Sequence, residues 1–228
     1  MKVYGTLALL AVAWGTLSFG AVYPWAYWPL AAACAALGIA GMWGDSSRRA
    51  WGDRFPAAPW LVVFALGVGL QLVPLPRSLL LAIGASTDAF LREHTFGYAL
   101  APPAWHPLSI APASTWTALG LFLAFALFLV GTSRALSRID LETFVRRLML
   151  FAVVLGLFGI IQKAFLGDTR IEDAMIYGFW RPQRPGNPFG PFVNRNHFAG
   201  WMIMALPLAL GYALGLFDRA GARWRGWR

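Results

Sequence analysis

Gly190-Pro191-Phe192-Val193-Asn194-Arg195-Asn196-His197-Phe198-Ala199-Gly200 runs without a break into an apolar stretch that ends at Phe217. Phe198 to Phe217 is long enough to cross a bilayer, so the four polar residues ahead of it belong at the mouth of a membrane helix. A helix starting there points unpaired N-terminal amides and the positive end of its dipole toward them. With a guanidinium added, the site suits an anion such as a phosphate or pyrophosphate. The alternative is an interfacial cap, with the amides satisfying loop carbonyls and Arg195 snorkelling to lipid headgroups. A cap needs one or two such groups, whereas four converge here, and Pro188 and Pro191 stiffen the approach. Arg195 therefore reads as an anion clamp, Asn194 and Asn196 as binding groups beside it, and His197 as a proton acceptor or donor.

Composition sets the surroundings of that stretch. The 228 residues are 58% hydrophobic and only 13% charged, against about 25% charged in soluble domains. The expected class is an all-α, polytopic integral membrane helix bundle forming a single membrane domain over 1–228. The net charge of +9 would suggest nucleic acid in a soluble chain. Here the basic residues lie in short loops between apolar runs, where they act as orientation signals, so nucleic acid is excluded as a partner. The single cysteine, Cys34, sits inside an apolar run and offers neither an intrachain disulfide nor a metal site.

Apolar runs place about six spans, at 3–22, 25–43, 57–75, 115–133, 148–166 and 198–217. Leu79 to Ile83 is expected to lie along the membrane surface, and Ser114-Thr115 to cap the fourth span. Gly67, Gly69, Gly156 and Gly159 are expected at helix contacts. Six spans put both termini on the same side as the second-to-third and fourth-to-fifth connections. That side carries Lys2, Arg48, Arg49, Arg54, Arg134, Arg138, Arg146, Arg147, Arg219, Arg223, Arg225 and Arg228, twelve of the 19 basic residues. By the positive-inside rule both termini are cytoplasmic. The longer connections at 76–114 and 167–197 then face outward, which in a bacterium means the periplasm.

Arg170, Arg181 and Arg184 in the second outward loop read either as a solvated loop or lipid headgroup contact or as an extension of the phosphate-binding surface; Arg181 and Arg184 stand out because Trp180 and prolines flank them. His94 and His106 share the first outward loop with Asp88 and Glu93 in no metal-binding spacing, and read as solvated loop histidines. No metal or cofactor is implied. Phosphate-loop, nucleophile-elbow, zinc-protease and dinucleotide fingerprints are all missing from the sequence, so any substrate must arrive already activated.

At Gly190 to Gly200, with Pro207-Leu208 following, the chain resembles the O-antigen ligase and O-antigen polymerase-related membrane proteins, whose members often carry a Gly-x-Phe-x-Asn-Arg-Asn-His-Phe-Ala-Gly element. Gln71-Leu72-Val73-Pro74-Leu75-Pro76 and Pro107-Leu108-Ser109-Ile110-Ala111-Pro112-Ala113-Ser114-Thr115 are similar to the family's N-terminal half. The resemblance implies a metal-independent transferase of the bacterial inner membrane. It would move a glycan from an undecaprenyl-diphosphate carrier to an acceptor hydroxyl on a lipid, glycan or protein. Arg195 matches the diphosphate-holding role and His197, which borders it, the base. Family members are usually about twice as long and carry their histidine in a large late periplasmic loop. This chain is accordingly expected to be a fragment or half of a split enzyme, completed by further spans or a partner chain. A non-catalytic scaffold that binds lipid-linked glycan or partner membrane proteins is the alternative.

Overall fold

The computed structural model describes residues 2–43, 56–136, 139–166, 175–182 and 187–225. Helix dominates. The elements are α1 (Lys2–Leu17), a single 3-10 turn (Phe19–Ala21), α2 (Pro24–Met42), α3 (Ala58–Leu70), β1 (Leu75–Pro76), α4 (Arg77–Ile83) and α5 (Ala85–His94). They continue with β2 (Trp105–His106), α6 (Pro112–Ala135), α7 (Leu141–Leu166) and α8 (Arg195–Arg225). Among the described residues four helices, α2, α6, α7 and α8, are long and apolar enough to cross a membrane. The protein is a helical membrane protein on that ground.

The two remaining apolar helices are shorter than the sequence predicts. α1 has 16 residues and ends at Leu17, because Phe19, Gly20 and Ala21 all take left-handed backbone angles that turn the chain into α2. α3 has 13 residues, about 20 Å at 1.5 Å per residue, against a hydrocarbon core of about 30 Å. It stops at Leu70 and not at 75: the Gln71 and Leu72 amides bond back to Val68 and Gly69 in tight turns, and Pro74 has no amide to continue the ladder.

The later helices are longer than predicted. α7 starts at Leu141, where Asp140 caps it by accepting the Thr143 amide at 3.1 Å. α8 starts at Arg195 and continues to Arg225. α6 starts at Pro112, a residue suited to a first helical position. Thr115 therefore lies inside its first turn and bonds the Ser109 hydroxyl at 2.8 Å, so Ser114-Thr115 is not the cap.

The chain divides into two compact units, 1–37 with 135–228, and 38–134. In the first, α7 and α8 run antiparallel. Phe151 meets Trp201 edge-on at 5.8 Å, Gly156 faces the Met202 methyl, and Arg219 near the far end of α8 reaches Glu142 at 2.7 Å. In the second, α2 and α6 cross at a pair of glycines. A Cβ on Gly131 would collide with the Gly38 carbonyl, and one on Gly38 with the Leu127 carbonyl. Gly156 lies at a helix contact as predicted, whereas Gly159 packs against Phe189 in the turn before α8, and Gly67 and Gly69 on α3 face open space.

Gly131→Val should destabilise the detergent-solubilised protein by about 1–3 kcal/mol, the usual cost of overpacking a tight contact. Gly67→Val should stay within about 0.5 kcal/mol of wild type. Thermal unfolding followed by the exposure of buried Cys34 to a thiol dye separates the two outcomes.

Candidate functional site

The approach to α8 is built to hold a helix start in place. Phe189 and Phe192 pair through both backbone amides at 3.1 and 3.2 Å around Gly190-Pro191. Gly190 takes φ +57°, a conformation open to glycine. Pro191 is fully buried. The Phe189 ring lies against α7 where Gly159 has no side chain, and Phe192 packs edge-on against Phe198 at 5.9 Å.

Asn194 is the N-cap. Its Oδ1 accepts the Asn196 amide at 2.8 Å, and its carbonyl accepts the amides of His197 at 3.0 Å and Phe198 at 3.4 Å. The Arg195 amide donates to the Asn187 carbonyl at 2.8 Å. All four leading amides of α8 are thus paired within the protein. This corrects the expectation of unpaired amides facing an anion. The helix contributes only its dipole there, and hydrogen bonds to a ligand have to come from side chains.

Those side chains are available. Arg195, Asn196 and His197 are exposed, and among the described residues their side chains make no hydrogen bond or ion pair. Asn194 is half-buried and committed to the cap. Arg181 is exposed and follows Trp180. Trp180 and Val193 pack against one small core of Phe19, Tyr23 and Ile176, so the segments carrying Arg181 and Arg195 meet there. Arg170 and Arg184 lie outside the described residues. The result is an exposed helix start with the Arg195 guanidinium, the Asn196 carboxamide and the His197 imidazole, a set able to bind an anion and to exchange a proton.

A second polar centre was not singled out from the sequence, which reads 86–114 as loop. In the structure Asp88 on α5 is 3% exposed and fully engaged. Arg92 Nε donates at 2.7 Å, the Tyr98 hydroxyl at 3.0 Å, and Arg77 reaches it at 3.0 Å. β1 and β2 pair antiparallel, Leu75 with His106 and Pro76 with Trp105, and close the same cap. The signal in the sequence was Asp88 and Arg92 at i, i+4 on a helical pattern. His106 stands edge-on to Tyr98 at 5.8 Å, and His94 stacks on Phe90 at 4.2 Å. Among the described residues, no group of three His, Cys, Asp or Glu is placed to hold a metal ion.

In comparisons with known proteins, no family model, no curated protein and no solved structure matches the chain.

The Arg92 hydrogen bond first, then those of Tyr98 and the charges of Arg77 and Arg92, outweigh burial and hold Asp88 below the usual carboxylate range. A depressed folded value gives stabilisation that is present above the unfolded value and lost as pH falls through the folded one. Pepsin digestion from about pH 4 down to about pH 2 should show the 77–106 cap becoming cleavable in a step. Asp88→Asn should be cleaved across the whole range without that step. A variant as resistant as wild type at the upper end would show that Asp88 does not hold the cap.

Proposed function

We propose that this chain binds an undecaprenyl-diphosphate-linked glycan at the outer mouth of α8, and that it serves the transfer of that glycan to an acceptor hydroxyl, as in O-antigen ligases and polysaccharide polymerases. The observation that carries this reading is the division of labour in one helical turn. Asn194 and Asn187 satisfy the helix start, which leaves Arg195, Asn196 and His197 uncommitted among the described residues, at the end of a helix long and apolar enough to cross a membrane. A lipid-borne diphosphate presents its charge at that level, where a guanidinium can pair it with two hydrogen bonds.

In the proposed topology there are six crossings, with α1 and α3 as the short ones, both termini in the cytoplasm and the α8 mouth in the periplasm of a bacterial inner membrane. The acceptor oxygen attacks the anomeric carbon of the first sugar. The bond from that carbon to the diphosphate oxygen breaks, and its electron pair stays on the diphosphate. Arg195, with Arg181 and Arg184 nearby in the chain, offsets the developing charge, while His197 takes the acceptor proton. No metal is required for this step. The acceptor is a lipid, glycan or protein hydroxyl.

One observation favours a second reading, a binding scaffold without catalysis. His197 has no partner among the described residues to orient its ring, whereas a working base is normally held by a third group. An open mouth also leaves the reacting atoms in water. Both gaps would close if further spans or a partner chain covered the site.

Arg195→Ala should weaken binding of undecaprenyl diphosphate to the nanodisc-embedded protein by about 10- to 100-fold, the worth of a hydrogen bond to a charged group. Arg195→Lys should recover part of it. His197→Asn should leave binding unchanged while abolishing surface glycan attachment in the complete system; retained attachment would favour the scaffold. Unchanged binding by Arg195→Ala would remove the diphosphate role.

A further inference from the structure

At the end of α7 opposite the α8 mouth, the chain leaves an arginine without a counter-ion. Arg146 is exposed and, among the described residues, makes no hydrogen bond or ion pair. Glu142 stands one turn before it, at the i, i+4 spacing where such pairs form. The Glu142 carboxylate instead reaches across to Arg219 on α8 at 2.7 Å. Asp140 caps α7 by accepting the Thr143 amide. Arg147, next to Arg146, donates to the Thr6 hydroxyl of α1 at 3.4 Å. Two adjacent guanidiniums thus stand together while the acids beside them in the chain are engaged elsewhere.

Both arginines line a cavity of about 300 Å³ between the starts of α1 and α7, walled by Thr6 and Leu9 on one side and Thr143 and Phe144 on the other. That is the lower end of the size range of small-molecule sites. The start of the 26-residue α7 adds the positive end of its dipole. Below Arg146, Leu150, Val153, Leu157 and Ile160 follow at steps of three and four residues, all exposed, as an apolar stripe down the same face of α7.

We propose that this cavity binds an anionic phospholipid, with the phosphate on Arg146 and Arg147 and an acyl chain along the stripe of α7. A cationic cavity that opens onto an apolar stripe matches one molecule carrying both chemistries, whereas free phosphate would use the cavity alone. A choline headgroup would set an ammonium against two guanidiniums, so a headgroup without a cation is favoured. An arginine that only marks orientation or snorkels requires no cavity, and nothing would keep it from Glu142. The site is separate from the α8 mouth and does not rest on the function proposed there.

Native mass spectrometry of the full chain in detergent, titrated with phosphatidylglycerol or phosphatidylcholine, tests the proposal. Wild type should hold phosphatidylglycerol about 10-fold more tightly. Arg146→Gln and Arg147→Gln should each lower that affinity about 5-fold and leave phosphatidylcholine unchanged. Arg134→Gln, the same loss of charge at the end of α6, should change neither. Arg219→Gln should weaken phosphatidylglycerol as well, because it releases Glu142 to pair with Arg146, and adding Glu142→Gln should restore the affinity. Equal affinity of wild type for the two lipids would overturn the site. A loss in Arg134→Gln as large as in Arg146→Gln would overturn it too, by showing attraction to net charge alone. Displacement of the lipid by inorganic phosphate at matched ionic strength would overturn the lipid assignment in favour of free phosphate.

Discussion

A helix start leaves its leading amides without partners inside the helix, and a cap, water or a ligand has to pair them. In this protein that requirement is met at the start of α8 by two asparagines, Asn194 through side chain and carbonyl and Asn187 through its carbonyl. The consequence is chemical as well as structural. With the cap complete, Arg195, Asn196 and His197 are not spent on the backbone and stand exposed at the mouth. The surrounding turn serves that arrangement: the Phe189–Phe192 pairing closes around Gly190, and missing side chains at Gly159 and Gly20 let Phe189 and Phe192 come close. Phe192 in turn touches Phe198 in the first helical turn.

The same economy recurs on the other side of Val193. α1 and α2 are joined by a turn that α-helical angles could not make, and the Phe19 and Tyr23 rings on it are packed by the 176–180 turn. A Tyr177 hydroxyl donating to the Leu17 carbonyl ties that turn to the end of α1. The site therefore draws on three separated stretches of one compact unit, 17–25, 175–182 and 187–198. The 38–134 unit has its own centre in Asp88, whose carboxylate gathers Arg77, Arg92 and Tyr98 into a cap between α3 and α6.

Apolar run length and helix punctuation carried most of the fold in the sequence. Helix class, the α2, α6, α7 and α8 segments and the position of the polar cluster at a helix start all follow from them. What they missed has physical causes. The ends of α1 and α3 depend on left-handed angles at Phe19 and Ala21 and on tight turns at Gln71 and Leu72, neither of which changes hydropathy. The Gly38–Gly131 crossing depends on a partner far away in the chain, so no local window distinguishes it from Gly67 and Gly69, which face open space. Asp88 looked like loop charge because its three partners are spread from residue 77 to 98. At the candidate site the residues were visible but their division was not: only the folded turn shows that the Asn194 side chain serves the cap and that the Arg195 side chain does not.

The central claim is that a lipid-borne diphosphate sits beside Arg195, and its most direct test is a distance. A nitroxide attached at Asn196→Cys in nanodiscs containing undecaprenyl diphosphate should broaden the carrier's phosphorus NMR signals strongly, while one attached near the other end of α8, at Asp218→Cys, should leave them sharp. Broadening from residue 218 with none from residue 196 would place the diphosphate at the wrong end of the helix and contradict the account.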